Sequence, residues 1–298
     1  MREPKDEPMK KSFSFILLFT FFISLGQSGA EIYLFDLRFT NGKMKISGGK
    51  NITNHKGYDN QPFFHPSLPV IYYSSFNDSG RSDIKWFNYE TGETKNLTLT
   101  PEREYSPIVT PDRQFISCII QRDNGAQDLA KYPIGGGWPV VLINHLKVGY
   151  HAWAGENKLL MFVLDDTIRN SLHYYYLEKD ADTIIAENAG RSLHKIPGQN
   201  AMSFVQKISG ERSVIKKFDM TTGIISTIIA TLPGREDLVW LNGNRILMSD
   251  GSRFFTCIDK HETKWEPVII EGNAVMLKGV TRLAVNADNT KLAVVVSE

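Results

Sequence analysis

One stretch decides the fold of this chain, and it reads Asp83-Ile-Lys-Trp-Phe-Asn-Tyr-Glu-Thr-Gly92. It begins with an acid, continues with β-branched and aromatic side chains and ends in a Thr-Gly turn, which is the pattern of a strand that enters a hairpin. Weaker copies follow at residues 128–136, 171–180, 213–223 and 253–261. Another copy stands near the start of the chain, at residues 31–42. The chain is therefore built from a repeat. One copy of its strand, at residues 31–42, lies far along the chain from the rest of the unit to which it belongs.

Two further markers recur with the same period. An apolar anchor residue, as in Asn51-Ile52-Thr53, returns at spacings of 45, 45, 43, 43 and 41 residues. The anchors are Ile52, Leu97, Leu142, Ile185, Ile228 and Ile269. The tight turn before each second strand lies at or just after Pro66, Pro111, Gly155, Pro197, Asn242 and Ala287. A period of about 40–45 residues with several strands per unit is typical of a propeller blade.

We predict an all-β fold, a six-bladed β-propeller with the N-terminal strands completing the last blade, in a single domain over residues 31–298. A chain with 42% hydrophobic residues, 23 Gly and 13 Pro suits many short strands joined by turns. The last repeat contains two strands, and residues 31–50 supply the other two, so that no sheet edge stays open. The predicted blades span residues 51–95, 96–140, 141–184, 185–227, 228–268, and 269–298 together with 31–50.

The first thirty residues are predicted to be a signal peptide. Lys10 and Lys11 precede an apolar run at residues 13–25, and Ser28-Gly29-Ala30 offers small residues for cleavage. The run is shorter than the ~20 residues that a membrane helix needs. Acidic residues before the run are unusual for a signal peptide, so the sequence leaves the translation start open between Met1 and Met9. We expect an exported protein, periplasmic or secreted, without a membrane span after cleavage.

Charge and cysteine content exclude some partners. Without residues 1–30 the basic and acidic residues balance, whereas nucleic acids and anionic membranes select a basic surface. We therefore expect neither as a partner. Cys118 and Cys257 fall in the second and fifth predicted blades, on opposite sides of the ring, where a disulfide cannot reach. Both lie in apolar strand contexts, which favours buried packing roles.

Several stretches resemble the WD40-like repeat of TolB-type propellers. The resemblance rests on Asn96-Leu-Thr98, on Glu104-Tyr-Ser-Pro-Ile-Val-Thr-Pro-Asp112, and on Thr281-Arg-Leu-Ala-Val-Asn-Ala-Asp288. Arg113 replaces the usual Gly of the turn, and Ala154-Gly155 and Asn242-Gly243 replace the Pro-Asp pair. The resemblance implies a toroid of the bacterial envelope that binds proteins or peptides at one face. It does not extend to the additional N-terminal domain of TolB, so the translocation role of TolB is not expected.

The residues that open each inner strand are polar in all six repeats, and inner strands line the channel of a propeller. We predict a ligand-binding mouth formed by Asp59, Asn60, Glu104, Tyr105, Tyr150, His151, Arg191, His194, Glu236, Asp237 and Arg282. Acids, bases, histidines and tyrosines around one opening suit a zwitterionic or peptidic ligand. The alternative is a network in which these groups bind each other and channel water.

Catalytic and metal motifs are weak in this sequence. His151 and His194 lack the spacing of a metal motif, so we expect no metal and no cofactor. Gly190-Arg-Ser192-Leu-His194 differs from a nucleophile elbow at its fifth position. We expect a non-catalytic, monomeric scaffold that binds an envelope protein or peptide. An exported hydrolase, lyase or cyclase, and an accessory propeller of a prolyl-oligopeptidase-type system, are open alternatives.

Overall fold

The computed structural model describes residues 29–55, 57–164, 170–259, 264–272 and 277–297. Almost all of the predicted signal peptide, residues 1–28, lies outside the described residues. The described chain folds into six sheets, five of four strands and one of five, that follow one another around a central channel. Within the described ranges, no helix has the length and hydrophobicity needed to cross a membrane. The all-β, six-bladed fold predicted from the repeat is confirmed.

The strands follow each other in blade order. The chain opens with β1 (Ala30–Thr40) and β2 (Lys43–Asn51). Blade 1 contains β3 (Asp59–Phe64), β4 (Val70–Phe76), β5 (Ser82–Asn88) and β6 (Thr94–Asn96). Blade 2 contains β7 (Arg103–Val109), β8 (Phe115–Gln121), β9 (Gln127–Pro133) and β10 (Val140–Ile143). Blade 3 contains β11 (Val148–Gly155), β12 (Lys158–Val163), β13 (Ser171–Tyr176) and β14 (Ala181–Glu187), with a 3₁₀ turn at Leu177–Lys179.

The remaining blades repeat this order. Blade 4 contains β15 (Ala189–Lys195), β16 (Ala201–Ser209), β17 (Arg212–Asp219) and β18 (Ile225–Ala230). Blade 5 contains β19 (Leu238–Leu241), β20 (Arg245–Ser249), β21 (Phe254–Ile258) and β22 (Glu266–Pro267). Blade 6 takes β24 (Val280–Val285) and β25 (Lys291–Ser297) from the end of the chain.

Blade 6 is closed by the start of the chain. β1 pairs antiparallel with β25, in a register that runs from Ala30 opposite Ser297 to Asp36 opposite Lys291. β2 pairs with the other edge of β1, so the N-terminal strands complete the last blade as predicted. The short strand β23 (Ile269–Ile270), which the sequence did not predict, adds a parallel fifth strand beside β2. The ring therefore closes within one sheet and not through a loop.

Apolar side chains form a separate cluster at each interface between neighbouring blades. Between blades 6 and 1, for example, Ile32 and Val295 pack with Ile71 and Tyr73. The same arrangement holds for every other pair of neighbours in the described part of the chain. Burial of this kind stabilises each blade only through its neighbours, since a single sheet has two faces to cover. Cys118 and Cys257 lie in blades 2 and 5, and both are buried, as the sequence predicts.

The anchor of the repeat connects one blade to the next. The hydroxyl of Thr98 accepts a hydrogen bond from the amide of Ile84 at 2.7 Å, and Thr53 does the same for Ile32 at 3.0 Å. The anchor asparagines Asn51 and Asn96 end the outer strands β2 and β6. The sequence unit is therefore offset from the structural blade, because the predicted boundaries at residues 51, 96, 141, 185 and 228 fall within the outer strands β2, β6, β10, β14 and β18, and the boundary at residue 269 falls in β23.

Candidate functional site

A cavity of about 530 Å³ occupies the centre of the ring, and all six inner strands (β3, β7, β11, β15, β19 and β24) contribute to its lining. It extends to Pro66, Pro111 and Pro197, which lie in turns between the first and second strands of their blades. In an antiparallel blade these turns lie at the same end as the turns between the third and fourth strands. We call this end of the ring the first-turn face. The cavity opens toward it.

Charged and phenolic side chains form the inner end of the cavity. Tyr150, Arg191, Asp237 and Arg282 lie at or near the first residues of their inner strands. Arg282 donates from Nη2 to the Tyr150 hydroxyl at 3.0 Å, and Asp237 Oδ1 accepts from the amide of Leu283 at 2.8 Å. Arg191, Asp237 and Arg282 also line a second cavity of about 110 Å³. These three residues, here called the charged floor, separate the two cavities.

The walls of the central cavity are mainly apolar. Two tryptophans illustrate how they are fixed: Trp153 Nε1 donates to Ser117 Oγ at 2.9 Å, and Trp240 Nε1 donates to Ser203 Oγ at 2.7 Å. Each bond joins an inner strand to the second strand of the preceding blade. The remaining apolar lining includes Phe63, Ile108, Leu193, Val239 and Val285. The tryptophans thus connect blades and also line the cavity.

Bulges in the inner strands direct polar side chains into the cavity. The pairing register shifts between Asn60 and Phe63 and again between Tyr105 and Ile108. Within these shifts Gln61 and Ser106 adopt left-handed backbone angles, with φ of 58° and 55°. Such conformations are uncommon for residues other than glycine, and bulges of this kind re-aim side chains beside binding sites. Gln61 Oε1 accepts from the amide of Ser106 at 2.8 Å, which ties blade 1 to blade 2.

Three buried polar atoms of the cavity lining have no hydrogen-bond partner among the described residues. They are Ser106 Oγ, His151 Nδ1 and Arg191 Nε. Most buried polar groups in proteins are paired, so each orphan requires an explanation. A ligand in the cavity would supply one.

The two histidines of the cavity are neutral at pH 7. Burial lowers the pKa of His151 to about 3 and that of His194 to about 4. His151 Nε2 lies 2.7 Å from Ser117 Oγ, and His194 Nε2 lies 2.9 Å from Ser192 Oγ. Because Ser117 already donates to the carbonyl of Ile108, its bond with His151 places the imidazole proton on Nε2. His151 Nδ1 is then a free acceptor. Among the described residues, no three His, Cys, Asp or Glu side chains form a group that could hold a metal ion.

The structure brings most of the predicted mouth together. Tyr150, His151, Arg191, His194, Asp237 and Arg282 all line the central cavity. Glu236 lies on the smaller cavity instead, with Oε2 3.3 Å from Lys207 Nζ.

Four predicted residues lie away from the cavity. Glu104 is fully buried beside blade 1 and accepts from Thr100 Oγ1 at 2.5 Å and from Tyr132 OH at 3.0 Å. Asp59 is buried next to His55 at 3.3 Å, and burial raises the pKa of its carboxyl. Asn60 accepts from the amide of Gln61, and Tyr105 packs against the apolar cluster between blades 6 and 1 and against that between blades 2 and 3. These side chains precede the bulges, where the strand directs them away from the channel.

Sequence reasoning missed the lining cations Arg113 and Lys195, whereas Gln61, Ser106 and Ser192 belong to the polar inner-strand openings from which the mouth is predicted. The signal for Arg113 was present, because it stands where the repeat usually has Gly and it adopts a left-handed φ of 60°. With these residues included, four cations (Arg113, Arg191, Lys195, Arg282) and one acid (Asp237) line the described cavity. The predicted mixed-charge rim is thus a predominantly cationic cavity, because the other acids lie elsewhere.

No family model matches the sequence, and no curated protein matches it. Solved structures do match. The putative TolB from Agrobacterium tumefaciens is 13% identical, with a TM-score of 0.67 over 92% of this chain and 99% of its own. TolB from Acinetobacter baumannii is 14% identical, with a TM-score of 0.57 over 91% of this chain and 64% of its own. The chain has the fold of TolB-like six-bladed propellers.

The same fold carries other activities. Oligogalacturonate lyase from Vibrio parahaemolyticus is 12% identical, with a TM-score of 0.57 over 83% of this chain and 80% of its own. This chain spans 64% of the length of the Acinetobacter TolB. Identities at this level show the shared fold alone, and function has to be argued from the cavity.

Proposed function

We propose that this protein is a non-catalytic, TolB-like propeller of the cell envelope that binds a protein or peptide segment in its central cavity. The observation that carries the proposal is the cavity itself, which has apolar walls, a charged floor and three unpartnered polar atoms. Binding pockets generally combine mainly apolar walls with a few convergent polar groups, in volumes of roughly 300–1,000 Å³. The volume of about 530 Å³ lies in that range.

The composition of the first-turn face around the cavity supports the proposal that the ligand is a macromolecule. Trp138, in the turn between β9 and β10, is 90% exposed, and Leu68, in the turn between β3 and β4, is 50% exposed. Phe39, near the end of β1 in blade 6, and Ile224, in the turn between β17 and β18 of blade 4, lie at the same end of the ring and are also exposed. Exposed tryptophan and large aliphatic side chains are typical of protein-binding surfaces. A ligand that enters the cavity would contact this face.

Export of the protein is part of the proposal. Its support is the lysine-flanked apolar run at residues 13–25 and the fold shared with TolB. Expression of the full chain in the source cells, followed by fractionation and mass spectrometry, tests it. We expect a cleaved form in the envelope fraction, and an uncleaved cytosolic protein would contradict export.

A blocked cavity tests the binding proposal. Ile108 lines the cavity and belongs to none of the blade-interface clusters, so Ile108→Arg should fill the cavity at little cost to the core. Ile184→Arg is the matched control, because Ile184 is 60% exposed on the outer strand β14. In pull-downs from envelope extract, the wild type and the control should retain the same partners, and Ile108→Arg should lose them. Identical partner sets for all three proteins would refute cavity binding.

An enzymatic role in the same cavity is the competing proposal. It is favoured by one observation, the half-buried Asp237 beside two arginines, because desolvation raises the pKa of its carboxyl. The Vibrio lyase shows that this fold accommodates such chemistry. Incubation of the purified protein with oligogalacturonate and with the captured partner separates the two proposals, because a scaffold leaves both compounds intact. Turnover that Asp237→Asn abolishes would establish the enzyme.

A further inference from the structure

We propose that the central cavity recognises the C-terminal carboxylate of its peptide ligand, with Arg282 and Arg191 as the residues that bind it. The inference rests on the proposed function and adds to it the part of the partner that enters the cavity and the group that is recognised there.

The first step is the local charge. Four cationic side chains and one carboxylate line the described cavity, whereas the whole chain carries a net charge of only +1. Concave, poorly solvated surfaces of one sign concentrate ligands of the opposite sign. Tyr58, which lies near the charged floor, stays neutral because burial raises its pKa to about 12. The phenol therefore does not offset the arginines, and the cavity favours an anion.

The second step is the partner set of Arg282. Its Nη2 donates to the hydroxyl of Tyr150, and the guanidinium also lies 5.2 Å from the centre of that ring. Among the described residues, no carboxylate oxygen lies within 4 Å of Arg282. Asp237 is its neighbour on the floor but uses Oδ1 to accept from the amide of Leu283. Most donors of this guanidinium are thus available to a ligand.

The third step is the position of Arg191. Its Nη2 donates at 2.9 Å to the carbonyl of Thr281, the residue before Arg282, so Arg191 contacts the strand that carries Arg282. Arg191 Nε is the buried orphan, and the nearest carboxylate oxygen, Oε1 of Glu236, is 3.9 Å away and beyond hydrogen-bond distance. Glu236 also forms an ion pair with Lys207, through its other carboxylate oxygen. Arg191 Nε therefore has no acceptor among the described residues.

The fourth step is what the two guanidinium groups of the charged floor bind. Arg191 and Arg282 carry two positive charges beside the single carboxyl of Asp237, and carboxylates pair with guanidinium through charge-assisted, often bidentate hydrogen bonds. The apolar walls formed by Ile108, Leu193 and Val285 lie between this floor and the first-turn face. The ligand that fits this cavity therefore carries a carboxylate, which reaches the charged floor, and apolar groups, which contact the walls.

The fifth step distinguishes a chain end from an internal acidic residue. The charged floor separates the central cavity from the smaller cavity, so a segment that enters from the first-turn face meets Arg191, Asp237 and Arg282 where the central cavity ends. A C-terminus ends there, and it carries its carboxylate at the tip. Capture of terminal carboxylates is a recurring mode of peptide recognition.

The test uses random short peptides that are immobilised by their N-termini, once as free acids and once as C-terminal amides, with immobilised digalacturonate as a third probe. Binding of the fluorescently labelled full chain is measured for the wild type and for Arg282→Gln, Arg191→Gln and Ile108→Arg. Lys216→Gln is the matched control, since Lys216 lies on β17 of blade 4 and bonds Thr227. Thermal unfolding of each variant verifies its fold.

The wild type and Lys216→Gln should bind the best free acids at least about tenfold more tightly than the amides. Arg282→Gln and Arg191→Gln should abolish that preference and leave residual binding to both forms. Equal affinity for acids and amides in the wild type, with binding still lost in Ile108→Arg, would overturn the carboxylate assignment and preserve cavity binding. Peptide binding that Ile108→Arg does not reduce would refute the proposed function itself. Binding of digalacturonate in place of peptides would overturn the peptide assignment.

Discussion

At the scale of single residues, the hydrogen bonds that a polar side chain already makes distinguish a structural residue from a residue that can bind a ligand. Glu104 and Arg191 both open inner strands, and the sequence pattern treats them alike. The structure gives Glu104 two good donors and full burial, whereas Arg191 has an unpartnered Nε on the cavity. A carboxylate that is already satisfied stabilises the fold, and a donor without an acceptor is available for a ligand.

Glu104 is therefore expected to contribute stability and not affinity. Glu104→Ala leaves Thr100 and Tyr132 without their acceptor, and we expect the free energy of unfolding to fall by about 2–4 kcal/mol in urea titrations. Glu104→Gln keeps one acceptor oxygen and should lose less. Glu93→Ala, at an exposed position, is the control and should stay within about 0.5 kcal/mol of the wild type. Wild-type stability of Glu104→Ala would show that the carboxylate is not part of the framework.

His151 gives the protein a specific sensitivity to acid. Its pKa is about 3 in the folded state, below the ordinary value of 6.5, so the unfolded chain takes up a proton that the folded chain does not. The stabilising contribution is complete above pH 6.5 and is lost as the pH falls toward the folded value. Between pH 7 and pH 5 the loss amounts to about 2 kcal/mol.

Urea unfolding of the wild type and of His151→Gln at both pH values measures this contribution. Glutamine can still donate to Ser117, but it does not titrate. The wild type should lose about 2 kcal/mol more than the variant over this interval. Parallel losses in the two proteins would mean that His151 is not held neutral.

At the scale of elements, the closing sheet of blade 6 determines whether the other five blades stay in place. β1 lies between β25 and β2 in that sheet and is therefore paired on both sides. Its Ile32 and Phe35 belong to two different interface clusters. The start of the chain is thus held by strand pairing on both sides and by packing on both faces. Loss of this strand would open the ring and expose sheet edges.

A designed disulfide tests the register of this closure. Asp36 and Lys291 are direct partners, and directly opposed residues in antiparallel strands lie within the Cα distance that a disulfide allows. Asp36→Cys with Lys291→Cys should oxidise readily and raise the free energy of unfolding by about 3–5 kcal/mol, because it closes nearly the whole chain into a loop. Mass spectrometry after alkylation detects the bond. Asp36→Cys with Thr290→Cys, one residue out of register, should stay reduced, and a disulfide formed more readily in this control would disprove the register.

At the scale of the whole molecule, the repeat predicts the architecture better than it predicts the site. Blade number and ring closure follow from residue types that recur at fixed spacing, as with Thr53 and Thr98, whose hydroxyls make equivalent bonds in successive blades. The composition of the cavity does not follow, because bulges with left-handed Gln61 and Ser106 break the alternation of side chains along the inner strands. β23 was missed since two residues pair only through a tertiary contact. The cationic character emerges only when the structure shows which acids are buried elsewhere.

The central claim is that a partner enters the ring from the first-turn face, and photo-crosslinking in envelope extract tests it most directly. A benzoylphenylalanine replaces Leu68, exposed in the turn between β3 and β4 on the first-turn face, in one protein, and Ile208, exposed at the opposite end of blade 4, in another. We predict a crosslinked partner from position 68 and none from position 208. A partner that crosslinks from position 208 and not from position 68 would contradict the account.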